Sequence, residues 1–567
     1  MISVEETINL IENIRNQPND SNLLEALRVL VAVDYTTALF STITQSVLIS
    51  SHIKYTEKIT FFKSLTEFKL SSGFNLIGLL DSVSSFNQPP SLKFSYFAGV
   101  LLAVQSDNLK LRIECENALI CELEDSLLLE KVAINDDTYL QALISILPHI
   151  PSSKLRLMDT KPLTILFAKI LFDSLSVDSL DGSIETKCTE MQQRTHYPSI
   201  SSISQTLTRL FTLRSRQDSS ELEQVLSTLL ALVSQNERMR LQSESTEMSI
   251  NTQVMSHFKI LLYTSITILY GTITHLATSN GFECVEGVEY DLPLATLRIM
   301  SRLAIINSIL NPDGELRQWR SINMLCVDMI NAQKDVKQSE QVLDMLVAET
   351  TLDNYKHLSK VNHLFHIAEF VVLNCTVEFA VAILLPVCDR YLEDSTDMVT
   401  FENAHSVTLT LFAGVKPNAL DQVLVARVMS YSITLLKVMR ILSQEQFRLA
   451  YQSVIKKVSA HSTDLTQWCI DGLLDSYKSV EEDQKIKIAY TLPTLLPLIN
   501  HHLLDSFLVS LERLLSSHWI AENREDLLTL TYKSIKLTGD ESNLLKCLNW
   551  WGDYTSRIKS LPIKSRL

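Results

Sequence analysis

The sequence predicts an all-α protein, an irregular α-solenoid or stacked helical bundles, and three observations carry that expectation. The first is a shortage of turn-formers: 12 glycines and 14 prolines in 567 residues, where average usage would supply about 70 of the two together. Sheet-rich folds need many turns with positive φ or a preset proline angle, so the shortage favours helices joined by short connections. The second is core material. Hydrophobic residues make up 46% of the chain and charged ones 20%, which is globular and far from the composition of disordered segments. The third is apolar spacing of three and four residues, the helical period, recurring from end to end.

In chain order, "SVEETINLIENI" sets Ser3 and Glu6 at capping-box spacing and puts Val4, Ile8, Ile11 and Ile14 on one stripe. Residues 1–175 read as an N-terminal helical region, interrupted by "NQPPS" and "HIPSSK". The polar, aperiodic run beginning "SVDSLDGSIETKCTEMQQR" makes residues 176–200 an expected linker or surface loop. Residues 201–552 read as a helical scaffold region. In it, "SELEQVLSTLLALV" repeats the capping-box spacing at Ser220 and Glu223 ahead of Leu222, Val225, Leu226, Leu229 and Val233. Softer breaks fall at "SNGFECVEGVEYDLP" and "NPDGE", and "DSFLVSLERLL" gathers Phe507, Leu508, Leu511 and Leu515 on one face. Each such face has to be buried against a neighbour, which calls for stacked antiparallel helices. No tetratricopeptide-like, ankyrin or leucine-rich pattern returns at a constant period, so a regular array is not expected. Residues 553–567 read as a basic flexible tail, with Arg557, Lys559, Lys564 and Arg566 and no side-chain carboxylate after Asp553 in a chain of net charge −15.

Two apolar stretches invite a membrane test. Residues 260–282, "ILLYTSITILYGTITHLATSNGF", carry no formal charge, but the many hydroxyls, Gly271 and His275 suit a buried bundle helix better than a span. "IAEFVVLNCTVEFAVAILLP" contains Glu369 and Glu378, each costly in hydrocarbon, and reads as a core helix with two polar exits. "MISVEETINL" has neither the basic-then-apolar order of a secretory signal nor the arginine content of a transit peptide, so synthesis in the cytosol is expected. The nine cysteines form no C-x-x-C pair, which suits a reduced compartment.

Most catalytic chemistry is excluded by pattern. The glycines are too dispersed for G-x-G-x-x-G or a Walker A loop, and no G-x-S-x-G elbow occurs. The only Asp pair, in "NDDTYLQA", lacks the third acid of a D-D-x-x-D magnesium stripe. In "HLFHIAE", His363, His366 and Glu369 are spaced by three and could form a metal half-site, but no H-E-x-x-H core accompanies them, and packing at the margin of an apolar face is the preferred reading. His501 and His502 are adjacent and point to different faces. With a pI near 5.4 and no long basic run, the electrostatic term of phosphate binding is missing, and "RQWR" is most simply a solvated helix face. No cofactor, no small-molecule substrate and no nucleic acid is expected.

The terminal tripeptide Ser565, Arg566 and Leu567 has the small-basic-leucine form of a peroxisomal address of the S-K-L kind. Its recognition is carboxylate capture: a groove holds the terminal carboxylate, a pocket takes the leucine and acidic or water-mediated contacts take the arginine. Pro562 keeps the approach extended, and Lys564 adds charge. Such an address without a catalytic motif implies interaction rather than chemistry.

The long glycine-poor helical chain, "EFAVAILLPVCDRYLED", "FENAHSVTLTLFAGV" at residues 401–415 and the "SRL" terminus together resemble the fungal family of peroxin eight. The likeness extends over most of the chain, with its specific features at residues 378–415 and in the tail. It implies a non-enzymatic organiser of matrix-protein import, peripheral on the luminal face of the peroxisomal membrane. Its implied partners are the docking complex, the RING ubiquitin-ligase complex and the cargo receptor that reads S-K-L-type tails. The second, N-terminal type of address that some members carry has no match here. Within 401–415, His405, Val407, Leu409 and Leu411 fit core packing better than a partner surface. Two other readings stay open: a peroxisomal matrix enzyme with an unrecognised helical site, for which His363 and His366 are the candidates, and a cytosolic helical-repeat adaptor with a fortuitous tail.

Overall fold

The computed structural model describes residues 4–16, 18–33, 37–72, 77–104, 108–129, 136–177, 182–213, 220–244, 252–280, 292–312, 316–351, 357–414, 422–517 and 523–560. Every regular element among them is helical, as the shortage of turn-formers predicts. The chain divides into two compact units, Met1–Cys326 and Val327–Leu567, each with its own core. The division falls inside the region 201–552 that the sequence reads as one scaffold.

In the first unit the Tyr55–Ser71 helix packs along the Pro90–Ala103 helix, whose leading proline occupies a position where no backbone donor is needed. Close approach depends on Gly99, since a Cβ there would lie 2.7 Å from both the Ile59 carbonyl oxygen and Phe62 Cβ. Phe62 and Tyr96 meet edge to face at 4.8 Å in the same layer. Farther along, the Ile200–Leu213 helix rests on the Thr252–Asn280 helix. Phe258, Leu261, Leu262, Ile268, Leu269 and Ile273 of the latter are buried, so the uncharged stretch serves the core. This helix and Leu292–Leu310 are long and apolar enough to cross a membrane by length and composition, and both are mostly buried within the fold.

Helix ends follow a shared device. The last carbonyls of a helix lack intrahelical donors, and here cations from later elements supply them. Lys69, fully buried, donates to the carbonyls of Val31, in the last turn of the Asp20–Ala32 helix, and of its C-cap Val33. Arg194 donates to Asp173 and Ser176, and Arg209 to Leu147, Pro148 and Ile150. In the second unit Lys487 donates to Met439, Arg440 and Leu442 at 3.0, 3.3 and 2.6 Å.

Several expectations meet a different local outcome. Ile8 is exposed, while Leu10 and Ile14 are the buried residues of the Val4–Asn16 helix, because its neighbours Asp20–Ala32 and Ala38–Ile49 cover only that side. Residues 176–200 include the helix Ile184–Gln192, capped by Ser183 and anchored by buried Cys188, Met191 and, beyond it, Tyr197. "IAEFVVLNCTVEFAVAILLP" is broken after Val371, and a new helix starts at Val377 because Thr376 Oγ1 caps it. The helix Glu541–Ser560 runs into the segment read as a flexible tail, with Tyr554 buried and Arg557 paired to Glu512. Ser3, the side chain of Ser220 and the tail residues Ser565, Arg566 and Leu567 lie outside the described residues. A serine-headed capping box does occur at Ser443 and Gln446, opening the Gln444–Ser459 helix.

The second unit ends in two alternating layers. Helices Gln444–Ser459, Glu482–Thr494 and Arg524–Lys536 pack in one, and Thr463–Ser479, His501–Leu515 and Glu541–Ser560 in the other. Phe507, Leu508, Leu511 and Leu515 face inward, as their spacing predicts.

Candidate functional site

The segment with the most distinctive sequence opens at the turn after the Arg317–Gln333 helix. Lys334 adopts φ 52° there, a left-handed conformation unusual for a residue with a side chain, and Asp335 Oδ1 accepts from Lys337 N at 2.9 Å to start Val336–Thr351. Asn331 binds the next pair of helices: its side chain donates to Phe370 O at 3.3 Å and accepts from Asn374 at 2.7 Å. Glu340 then takes the Thr376 backbone N–H at 2.9 Å together with its hydroxyl. A single turn of π-helix, Ala380–Leu384, precedes Pro386 and locally widens the backbone.

A polar seam joins the Leu358–Val371 helix to Met398–Gly414. Asn403 donates to Asn362 Oδ1 at 3.1 Å, and Ser406 Oγ donates to Glu369 at 2.7 Å. The second contact engages the carboxylate of the candidate half-site His363, His366 and Glu369. Glu369 is engaged with Ser406, His363 is in the core, and His366 turns edge-on to Phe370 at 5.7 Å. Among the described residues no three His, Cys, Asp or Glu side chains are placed to share an ion.

His405 is the keystone of the seam. Its Nε2 lies 3.1 Å from the Leu392 carbonyl, which can only accept, so Nε2 carries the proton and Nδ1 accepts from the Tyr431 hydroxyl at 2.8 Å. Burial pushes the imidazole down to about 4, opposed only in part by the Leu392 carbonyl. A neutral ring with both nitrogens engaged holds three elements together and has no lone pair left for general base work. Val407 and Leu411 are buried beside it as the packing expectation has it, while Leu409 is only half-buried. Burial pushes the thiols of both Cys375 and Cys388 up to about 12, away from the nucleophilic thiolate form. Outside the seam, a shallow cleft runs between Asp389 and Arg427, which form an ion pair at 2.5 Å, with Thr408 and Thr434 along its walls. The arrangement is that of a rigid helical platform. Sequence reasoning missed Tyr431, Asn331 and Glu340, whose partners are 26, 43 and 36 residues away.

Comparison with known proteins bears on the same region. Residues 330–413 match the family described as the PEX8 central TPR-like domain. No curated protein matches the chain. Among solved structures, similarity extends to an engineered protein at 11% identity and TM-score 0.26, covering 97% of this chain and 98% of that one. A circular tandem repeat protein gives 13% identity and TM-score 0.21, with 98% of each chain covered. The S. pombe condensin Cnd3–Cnd2 subcomplex gives 11% and 0.18, with 98% of this chain and 82% of that chain covered. Scores this low carry no argument about fold or function. The matched domain spans the stretch from the Asn331 anchor through the His405 seam, and it supports assignment to the peroxin 8 family.

Proposed function

We propose that this protein is a non-enzymatic scaffold of peroxisomal matrix-protein import, bridging the receptor-docking and RING ubiquitin-ligase complexes on the luminal side and binding the cargo receptor. The observation that carries the reading is the PEX8 central domain at residues 330–413. A platform of helices tied by long-range polar contacts suits bridging, because it holds separate surfaces at fixed spacing without a reaction centre. Ser565, Arg566 and Leu567 are the residues offered to the receptor, as a ligand whose terminal carboxylate, arginine and leucine are read together. Attachment to the membrane is peripheral in this reading, since the two helices long and apolar enough to span are mostly buried within the fold.

The test is the location of the full-length protein and of a version lacking residues 565–567, with an alkaline-carbonate wash and a detergent-solubilised pulldown. The full-length protein is expected in peroxisomes, protected from protease, released by carbonate and recovered with docking and RING components; the shortened version is expected to stay in the cytosol. Cytosolic location of both versions, or recovery without either complex, overturns the scaffold reading. Targeting that survives the deletion overturns the role given to the tail alone.

A further inference from the structure

The outer layer of the second unit ends in three parallel helices in register. Asn500 donates to Thr463 Oγ1 at 3.1 Å, His501 Nδ1 meets Asn543 Oδ1 at 3.1 Å, and Lys546 reaches Asp505 at 3.2 Å. With the helices pinned in this way, the outward residues Trp468, Val509, Leu545 and Leu548 fall within about one helical turn of the same height. They are 42%, 50%, 65% and 42% exposed. Neighbouring axes about 8–10 Å apart make this a band roughly 20 Å wide crossing all three helices. Its charge is one-sided at the Trp468 end. Asp464 and Asp471 stand four residues before and three after the indole, so both share its face of the helix. Glu541 is exposed one turn before Leu545.

We infer that this band is a docking surface for an extended cationic segment of another protein. A lysine or arginine seats against Trp468 between the two aspartates, and apolar side chains follow onto Val509, Leu545 and Leu548. An indole attracts a cation through its face, and two carboxylates within a turn add to the attraction and reject acidic segments. At about 3.3 Å per residue, six residues cross the band, so a basic residue with apolar ones three and six positions away on one side fits it, as Lys564 with Leu561 and Ile558 does in this chain's own sequence. This surface lies outside residues 330–413 and is independent of the role proposed for the tail.

The test is fluorescence anisotropy of a labelled peptide with the sequence of residues 554–567, which has four cations, several apolar residues and no side-chain carboxylate, titrated with the full-length protein. Saturable binding that falls steeply with salt is expected. Trp468→Ala, and separately Asp464→Asn with Asp471→Asn, should weaken it at least tenfold while leaving the melting temperature unchanged, these side chains being exposed. A peptide with every Lys and Arg replaced by Gln should not bind. Absence of saturable binding, equal binding by the Trp468→Ala protein, or equal binding of the neutral peptide overturns the proposal. Binding seen only after residues 561–567 are deleted also overturns it, by making the chain's own tail the occupant.

Discussion

At the scale of single residues, the informative side chains are buried histidines held neutral. His405 sits between Leu392 and Tyr431, and His257 between Asn236 at 2.8 Å and Tyr197 at 3.3 Å; burial pushes both down to about 4, with Arg194 adding to the effect at His257. A histidine whose folded pKa lies below its ordinary 6.5 stabilises the fold fully above that value. The contribution is lost as pH falls from about 6.5 to about 4, because the unfolded chain takes up the proton first. Each shift corresponds to about 3 kcal/mol at most. Denaturation at pH 7 and pH 5 should show the loss, and replacing His405 by Gln should remove its share of the pH dependence. Tyr431→Phe leaves His405 Nδ1 without its donor and should cost about 1–3 kcal/mol, measured by urea unfolding at pH 7. The sequence marks His405 as a polar residue in an apolar run, but its two partners lie in other elements, and nothing local names them.

At the scale of elements, two helix contacts have sharp consequences. Gly99→Ala puts a methyl group 2.7 Å from the Ile59 carbonyl and 2.9 Å from Lys63 N. Both are backbone atoms within one helix, so the two helices must move apart, and a loss of about 1–3 kcal/mol is expected in chemical denaturation. Lys487→Met keeps the apolar stem and removes three hydrogen bonds to the carbonyls after Val438. A loss of about 1–3 kcal/mol follows from leaving those acceptors without their donor, and Lys487→Arg should recover part of it. Helix existence was legible from periodicity at Val225, Leu229, Phe507 and Leu511, all buried. Helix ends were less so. The capping box at Ser443 and Gln446 has a sequence signature, whereas the stop at Val371 and restart at Val377 come from a threonine cap and Glu340 acting across 36 residues. Residues 184–192 form a helix in a stretch without apolar periodicity because Cys188 and Met191, three apart, are enough to anchor nine residues.

At the scale of the molecule, the chain is two compact units, each with a core of its own. Heating or urea should therefore give two transitions, the pH-dependent share of His257 in one and that of His405 in the other; one coincident transition by calorimetry and fluorescence would count against independent cores. The division between Cys326 and Val327 lies inside the Arg317–Gln333 helix, which explains why no linker composition marks it. The TPR-like character of residues 330–413 was equally hard to read, since its helices differ in length and one contains a π turn, so no constant period reaches the sequence. By itself the sequence determined the helical class, through the shortage of glycine and proline and the apolar period, and it carried the family likeness at residues 378–415. Only the tertiary structure decided which carboxylate meets Thr376, which hydroxyl meets His405, how Trp468, Val509 and Leu548 come into line, and where the two cores divide. The physical reason is range: backbone preference and amphipathic spacing act within a few residues, whereas these contacts close over tens of residues and exist once helices have packed.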